Sequence, residues 1–157
     1  LGSLYAKYCL AFGAKVIVYD PYKKINSSHI KQVNNLDYLL SNSDIISLHV
    51  HLNQETHYLI NKKNIDKLKK NVILINTSRG EIFEEKEIIK FLRRNNKAKL
   101  ACDVIENEIE NKKNNPLIKF SKKTNQVIIS PHIGGMTIEA QRIAYHRVAD
   151  QLYNYFK

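Results

Sequence analysis

The feature that most constrains this chain is the alternation of short, nearly continuous apolar runs with longer amphipathic stretches. The runs are Lys15 to Tyr19, Asp44 to Val50, Asn71 to Ile75, Lys99 to Val104 and Val127 to Ser130, all rich in β-branched residues. Runs of that kind suit parallel strands covered on both faces, because an antiparallel sheet wet on one side would alternate polar and apolar positions. Helices are predicted between them at Ser3 to Phe12, Leu36 to Ser41, Lys63 to Lys69, Glu84 to Asn95 and Thr137 to Phe156. Gly13 ends the first of these. Strand and helix in alternation, with right-handed crossovers, define an α/β fold of the doubly wound, Rossmann-like kind.

With 157 residues, 43% of them hydrophobic, the chain can build one core. Its mean hydropathy of -0.39 is that of a globular chain. No run approaches the roughly 18 apolar residues of a membrane helix, and the first residues carry no secretory pattern. Cys9 and Cys102 lie in neither a CxxC nor a Cys/His cluster, so neither a disulfide framework nor a zinc site is expected. The expected setting is a reducing cytoplasm, with no membrane partner. A formal charge of +10 raises a polyanion partner. The lysines are scattered through loops and solvated helix faces, however, and no nucleic-acid-binding motif accompanies them, so nucleic acid is not the expected partner.

In a doubly wound sheet, ligands bind beyond the carboxyl ends of the strands. The segments to inspect are therefore Asp20, His49 to Leu52, Asn76 to Gly80, Asp103 to Glu108 and Pro131 to Gly135. Leu1-Gly2, followed by a helix, a strand and Asp20, has the layout of the second half of a dinucleotide-binding fingerprint. Asp20 follows Gly2 at close to the roughly 20-residue spacing of an acidic residue that bonds the ribose hydroxyls. Its negative charge would favour NAD over NADP. The same Asp before Pro21 also makes an ordinary turn.

Arg79, after a strand, offers a fixed cationic fork for a carboxylate or carbonyl. His132, between Pro131 and the glycines Gly134 and Gly135, sits on a constrained turn where it could exchange a proton. Glu108 could pair with that imidazole and hold its tautomer. The plainer alternatives are a surface Arg, a capping His and a solvated loop Glu. His49 and His51 fall on one side of a strand, but without a carboxylate or Cys partner they make no metal site, and none is predicted. His29 and His146 are expected to be solvated. The segment Glu106 to Asn125 reads as a long site-forming loop with Pro116 inside it.

In order and spacing, these segments resemble the NAD-binding domain of the D-isomer-specific 2-hydroxyacid dehydrogenases. The carriers are LGSLYAKYCLAFGAKVIVYDP, SDIISLHVHLNQETHYLIN, LKKNVILINTSRGEIFEEKEI, KLACDVIENE and VIISPHIGGMTIEA. The IGG-x-T run resembles the phosphoglycerate dehydrogenase-like branch. The resemblance implies NAD as cofactor and hydride transfer between nicotinamide and C2 of a 2-hydroxy or 2-keto acid. It implies Arg79 as binder of substrate carboxylate and carbonyl, His132 as general acid/base and Glu108 as its support. Leu1, Gly2, Asp20, Thr77, Ser78, Arg79, Asp103, His132, Gly134 and Gly135 fall on positions that line the cofactor. A homodimer is implied as well.

The sequence departs from that pattern in two places. His51 stands where the family usually has Pro, and Ile109 rather than Pro follows Glu108, with Glu106 and Glu110 flanking it. By the resemblance, residues 1–157 are a partial NAD-binding domain that lacks the first strand and the substrate domain, with 137–157 as the closing helix leading back towards the latter. Such a piece is expected to be inactive by itself. The competing expectation is a non-catalytic NAD-sensing module of corepressor type on the same fold.

Overall fold

The computed structural model describes residues 1–157, the side chain of Asn111 excepted. Its element order is α1 (Gly2–Ala11), β1 (Val16–Tyr19), β2 (Ile30–Val33), α2 (Leu36–Asn42), β3 (Ile45–Leu48), β4 (Ile73–Asn76), α3 (Glu85–Arg94), β5 (Lys99–Cys102), α4 (Glu108–Asn111), α5 (Pro116–Ser121), β6 (Val127–Ile129) and α6 (Ile138–Tyr155). Single 3-10 turns occupy Ile65–Lys67, Gly80–Ile82 and Lys112–Asn114.

All described strand pairing between these elements is parallel, as the β-branched runs require. The strands form two sheets: β1 pairs with β2, while β3, β4, β5 and β6 pair in that order. Since β1 and β3 do not hydrogen-bond, each presents a free edge. The α/β expectation holds, with the sheet in two pieces.

The core lies on one face of the larger sheet. Leu74 of β4 and Leu100 of β5 meet Ile88, Phe91 and Leu92 of α3 and Leu117 of α5, all essentially inaccessible to water. In α3 the apolar residues Ile88, Ile89, Phe91 and Leu92 recur at helical spacing, Glu85 and Glu87 fall in the first turn, and Arg93 and Arg94 in the last, so charge also complements the helix dipole. Burial on the opposite face is poorer than the continuous runs suggest. Ile45 is 54% exposed and Ile128 72% exposed, so coverage of both faces is not achieved by these residues.

Three local expectations are corrected. Lys63 to Lys69 holds only the short 3-10 turn, because Asn61 and Asn64 bond each other and the backbone around them, competing with a helical ladder. The supposed loop from Glu106 to Asn125 contains α4 and α5. The latter opens with Asn115, whose side chain accepts from the amides of Leu117 and Ile118, followed by Pro116 in the first turn, where a missing N–H costs nothing. The strand β2 was not anticipated, since only Ile30 and Val33 of its four residues are apolar.

Candidate active site

The loops that follow β3, β4, β5 and β6 converge at the carboxyl end of the larger sheet. After β4, the buried Asn76 shapes the turn: its side-chain amide donates to the Arg79 carbonyl at 2.9 Å and its Oδ1 accepts from the Ser78 amide at 3.0 Å. The Ser78 hydroxyl donates to the Leu48 carbonyl at 2.9 Å, tying the turn to the end of β3. Arg79 is left exposed, with Nη1 donating to the Ser78 carbonyl. The next residue has no room for a side chain. A Cβ at Gly80 would lie 2.0 Å from the carbonyl carbon of Ile105, so only glycine lets the Arg79 turn press on the segment leading to Glu108.

That segment is held from several sides. Glu81 accepts from the Asn107 amide at 3.1 Å, and the Tyr58 hydroxyl donates to the Glu106 carboxylate. That hydrogen bond, then burial and the acidic neighbours Glu106, Glu84 and Glu81, push the Tyr58 phenol up to about 12. Asn107 adopts a left-handed conformation, φ 52°, and turns the chain into α4. Glu108, the first residue of α4, then reaches His132, with 2.9 Å between Oε2 and Nδ1. Of the three candidate glutamates, Glu108 is therefore the one paired with the imidazole.

His132 also has a left-handed backbone, φ 57°, an uncommon state for a residue with a side chain and one that must be held. Asp103, buried at the end of β5, holds it. Its Oδ1 accepts from the Ser130 hydroxyl at 2.6 Å and from the Ile133 amide at 3.1 Å, and its Oδ2 from the Gly134 amide at 2.9 Å. Burial would raise the Asp103 pKa, but the bonds from Ser130, Gly134 and Ile133, with His132 nearby, outweigh it and keep the carboxyl below its ordinary value. Both Asp103 oxygens are thus committed to the loop that carries His132. Arg79, Glu108, Lys112 and His132 share a cleft of about 530 Å³.

The remaining predicted residues lie toward the smaller sheet or beside the cleft. Asp20 closes β1, and its Oδ1 accepts from the amides of Tyr22 and Lys23, the turn that Asp-Pro suggests. Leu1 and Gly2 begin α1, whose first-turn amides carry no side-chain cap. A Cβ at Gly2 would sit 3.2 Å from that of His49, so α1 passes close to the end of β3. His49 bonds Ser47 at 3.0 Å, and His29 and His146 are exposed. Thr77 is exposed on the Arg79 turn, and a Cβ at Gly135 would meet nothing within 4 Å. A helix N-terminus, a carboxylate ending the next strand and an open glycine loop are groups of the kind that suit a dinucleotide's phosphates and ribose.

Parallel strands with a His–Glu pair and an arginine at their carboxyl ends are the setting of a nucleotide-binding α/β domain, and comparison with known proteins agrees. Residues 1–134 match the model for the D-isomer specific 2-hydroxyacid dehydrogenase, NAD binding domain. The chain belongs to this family. It is 38% identical to a glyoxylate reductase of Thermofilum pendens over 92% of this chain and 42% of that protein. It is 36% identical to a D-3-phosphoglycerate dehydrogenase of Methanocaldococcus jannaschii over 97% of this chain and 28% of that one. Among solved structures, it superimposes on the D-lactate dehydrogenase of Aquifex aeolicus complexed with NAD and lactic acid with a TM-score of 0.84 and 30% identity, covering 99% of this chain and 50% of the other. The chain thus spans half or less of the length of these relatives.

Proposed function

We propose that the protein containing this chain is an NAD-dependent D-2-hydroxyacid dehydrogenase that reversibly reduces a 2-keto acid. The observation that carries the proposal is the 2.9 Å pair of His132 and Glu108 beside Arg79 in one cleft. Bound NADH would supply the hydride to C2. The Arg79 guanidinium binds the substrate carboxylate and draws electron density toward the carbonyl oxygen, a permanent charge placed where negative charge develops. Glu108 accepts from the Nδ1–H of His132, which leaves Nε2 as the nitrogen that gives its proton to the forming alkoxide and recovers it in the oxidation direction. Asp103, through the Ser130–Gly134 loop, keeps the ring in place. The other expected cofactor positions, Leu1, Gly2, Asp20, Thr77, Ser78, Gly134 and Gly135, are assigned on the fit described above.

In this reading residues 1–157 are part of the cofactor domain. A strand from outside this chain would join β1 and β3, whose free edges support the idea, and 137–157 would lead toward a substrate domain, since α6 buries none of its own residues. A homodimer in the cytoplasm belongs to the same proposal. No described helix is long and apolar enough to cross a membrane.

The test follows NADH oxidation by the complete protein against a panel of 2-keto acids, glyoxylate, hydroxypyruvate and pyruvate among them. One or more acids should be reduced, and His132→Ala should lower the rate by about 10² or more. Binding of NADH with no reduction of any acid would replace this reading with that of an NAD-sensing module.

A further inference from the structure

Beneath the site lies a carboxylate that the proposed chemistry does not use. Glu85, in the first turn of α3, is 4% exposed. Its Oε1 accepts from the Glu106 backbone amide at 2.5 Å, and its Oε2 accepts from the Asn115 side-chain amide at 2.8 Å. The same Asn115 nitrogen donates to the Glu106 carbonyl at 3.0 Å. Glu85 and Asn115 thus grip both polar groups of the Glu106 peptide backbone, two residues before the carboxylate that holds His132.

The chemistry of this grip demands an acid. Both partners of Glu85 are donors, so the site needs two acceptor oxygens on one side chain, and an ionised carboxylate alone provides them. Glutamine would turn an NH₂ toward one of the two N–H groups. Asn115 cannot flip to compensate, because its Oδ1 already accepts from the amides of Leu117 and Ile118 at the start of α5. Aspartate is one methylene too short for the same reach.

We infer that Glu85 is a positioning residue for the reaction: its carboxylate fixes the Glu106 backbone, and through it the placement of Glu108 on His132. This rests on the dehydrogenase reading for its kinetic consequence and on geometry alone for its structural one.

The grip is also sensitive to pH. Burial, against the two hydrogen bonds and together with the negative Glu106 and Glu81, pushes the Glu85 carboxyl up to about 7. The groups around it are Glu81 on the Gly80–Ile82 turn, Glu106 with Tyr58 bound to it, and Cys102 on β5, whose thiol burial and the nearby Glu85 and Asp103 push up to about 12. No cation is among its hydrogen-bond partners in the described residues. As pH falls through about 7, one oxygen of Glu85 becomes a donor and the grip on Glu106 weakens.

The experiment compares wild type and Glu85→Gln in the complete protein from pH 6 to 8.5. Two readouts are followed: kcat for 2-keto acid reduction, and hydrogen-exchange protection of the segment holding the Glu106 and Asn107 amides. The variant should lower kcat above pH 7 by about ten- to a hundredfold, the scale of a slightly misplaced catalytic group, with KM for NADH unchanged. The wild-type to variant ratio should shrink toward one as pH drops below 7, because protonated wild type and the variant carry the same missing acceptor. A merely structural role would lower activity equally at all pH values. Protection should fall in the variant and, in wild type, fall with decreasing pH. A pH-independent ratio, or unchanged protection, would overturn the proposal. If no acid is reduced by either protein, the dehydrogenase reading fails, and protection alone decides the role of Glu85. Should the variant not fold, the wild-type protection profile across pH 7 makes the same decision.

Discussion

The two halves of the molecule are built to different standards. From β3 to β6 the chain owns a closed core of α3, α5 and four strands, in which Leu74, Ile82, Ile88, Leu92 and Leu100 are at most 2% exposed. The unit of α1, β1 and β2 contributes only Ala6 to the buried apolar set, while Leu4, Tyr8 and Phe12 face water at 49%, 57% and 90% exposure. The side chains proposed for catalysis, Arg79, Glu108 and His132, belong to the first half, and the residue proposed for the adenosine end of the cofactor, Asp20, to the second. The lesson is that the His132–Glu108 pair is assembled by this chain's own packing, whereas α1 and the strands beside it are held by much less.

Substitutions can break or sharpen this contrast. The largest effect is expected from Leu92→Ala, which removes a fully buried side chain and should cost about 2 to 5 kcal/mol in urea unfolding. Gly80→Ala comes next, at about 1 to 3 kcal/mol, since the added methyl meets backbone rather than a side chain that can turn aside. It should also loosen the His132–Glu108 pair and slow turnover. Phe12→Ala is the smallest, under about 0.5 kcal/mol, as for any exposed position. A cost near that of Leu92→Ala, measured in the complete protein, would mean that chain outside residues 1–157 covers α1, and the contrast between halves would vanish.

Where the sequence could be read, it was because one physical signal dominated. The strands β3 and β4 are built mainly of Ile and Leu, β5 sits in the apolar run that continues to Val104, and α3 repeats its apolar residues at helical spacing. The Arg79, Glu108 and His132 loops were legible because each follows such a strand. The strand β2 was hidden, since Lys31 and Gln32 dilute its pattern. The helix α5 was hidden behind lysines and asparagines, although Asn115-Pro116 is a helix opener that could have revealed it. Glu85 was invisible for a different reason. In sequence it is one more acidic residue in a helix's first turn, where solvent exposure and dipole complementarity explain it fully; only packing shows that it is buried and what it bonds. Asp103 was placed beside the cofactor by the family resemblance, whereas its bonds to Ser130, Ile133 and Gly134 give it a task within the protein.

The contact of Gly80 with Ile105 reaches further than the room it leaves for a backbone. It makes the Arg79 turn and the turn that carries the His132 partner a single mechanical part, with Glu81 on the Asn107 amide and Glu85 on the Glu106 amide as cross-ties. Under the proposed function, neither turn could shift to suit a longer or bulkier acid without moving the His132–Glu108 pair. On that proposal, the room for substrates of different size lies along the other walls of the cleft, where Ile109 and Lys112 stand.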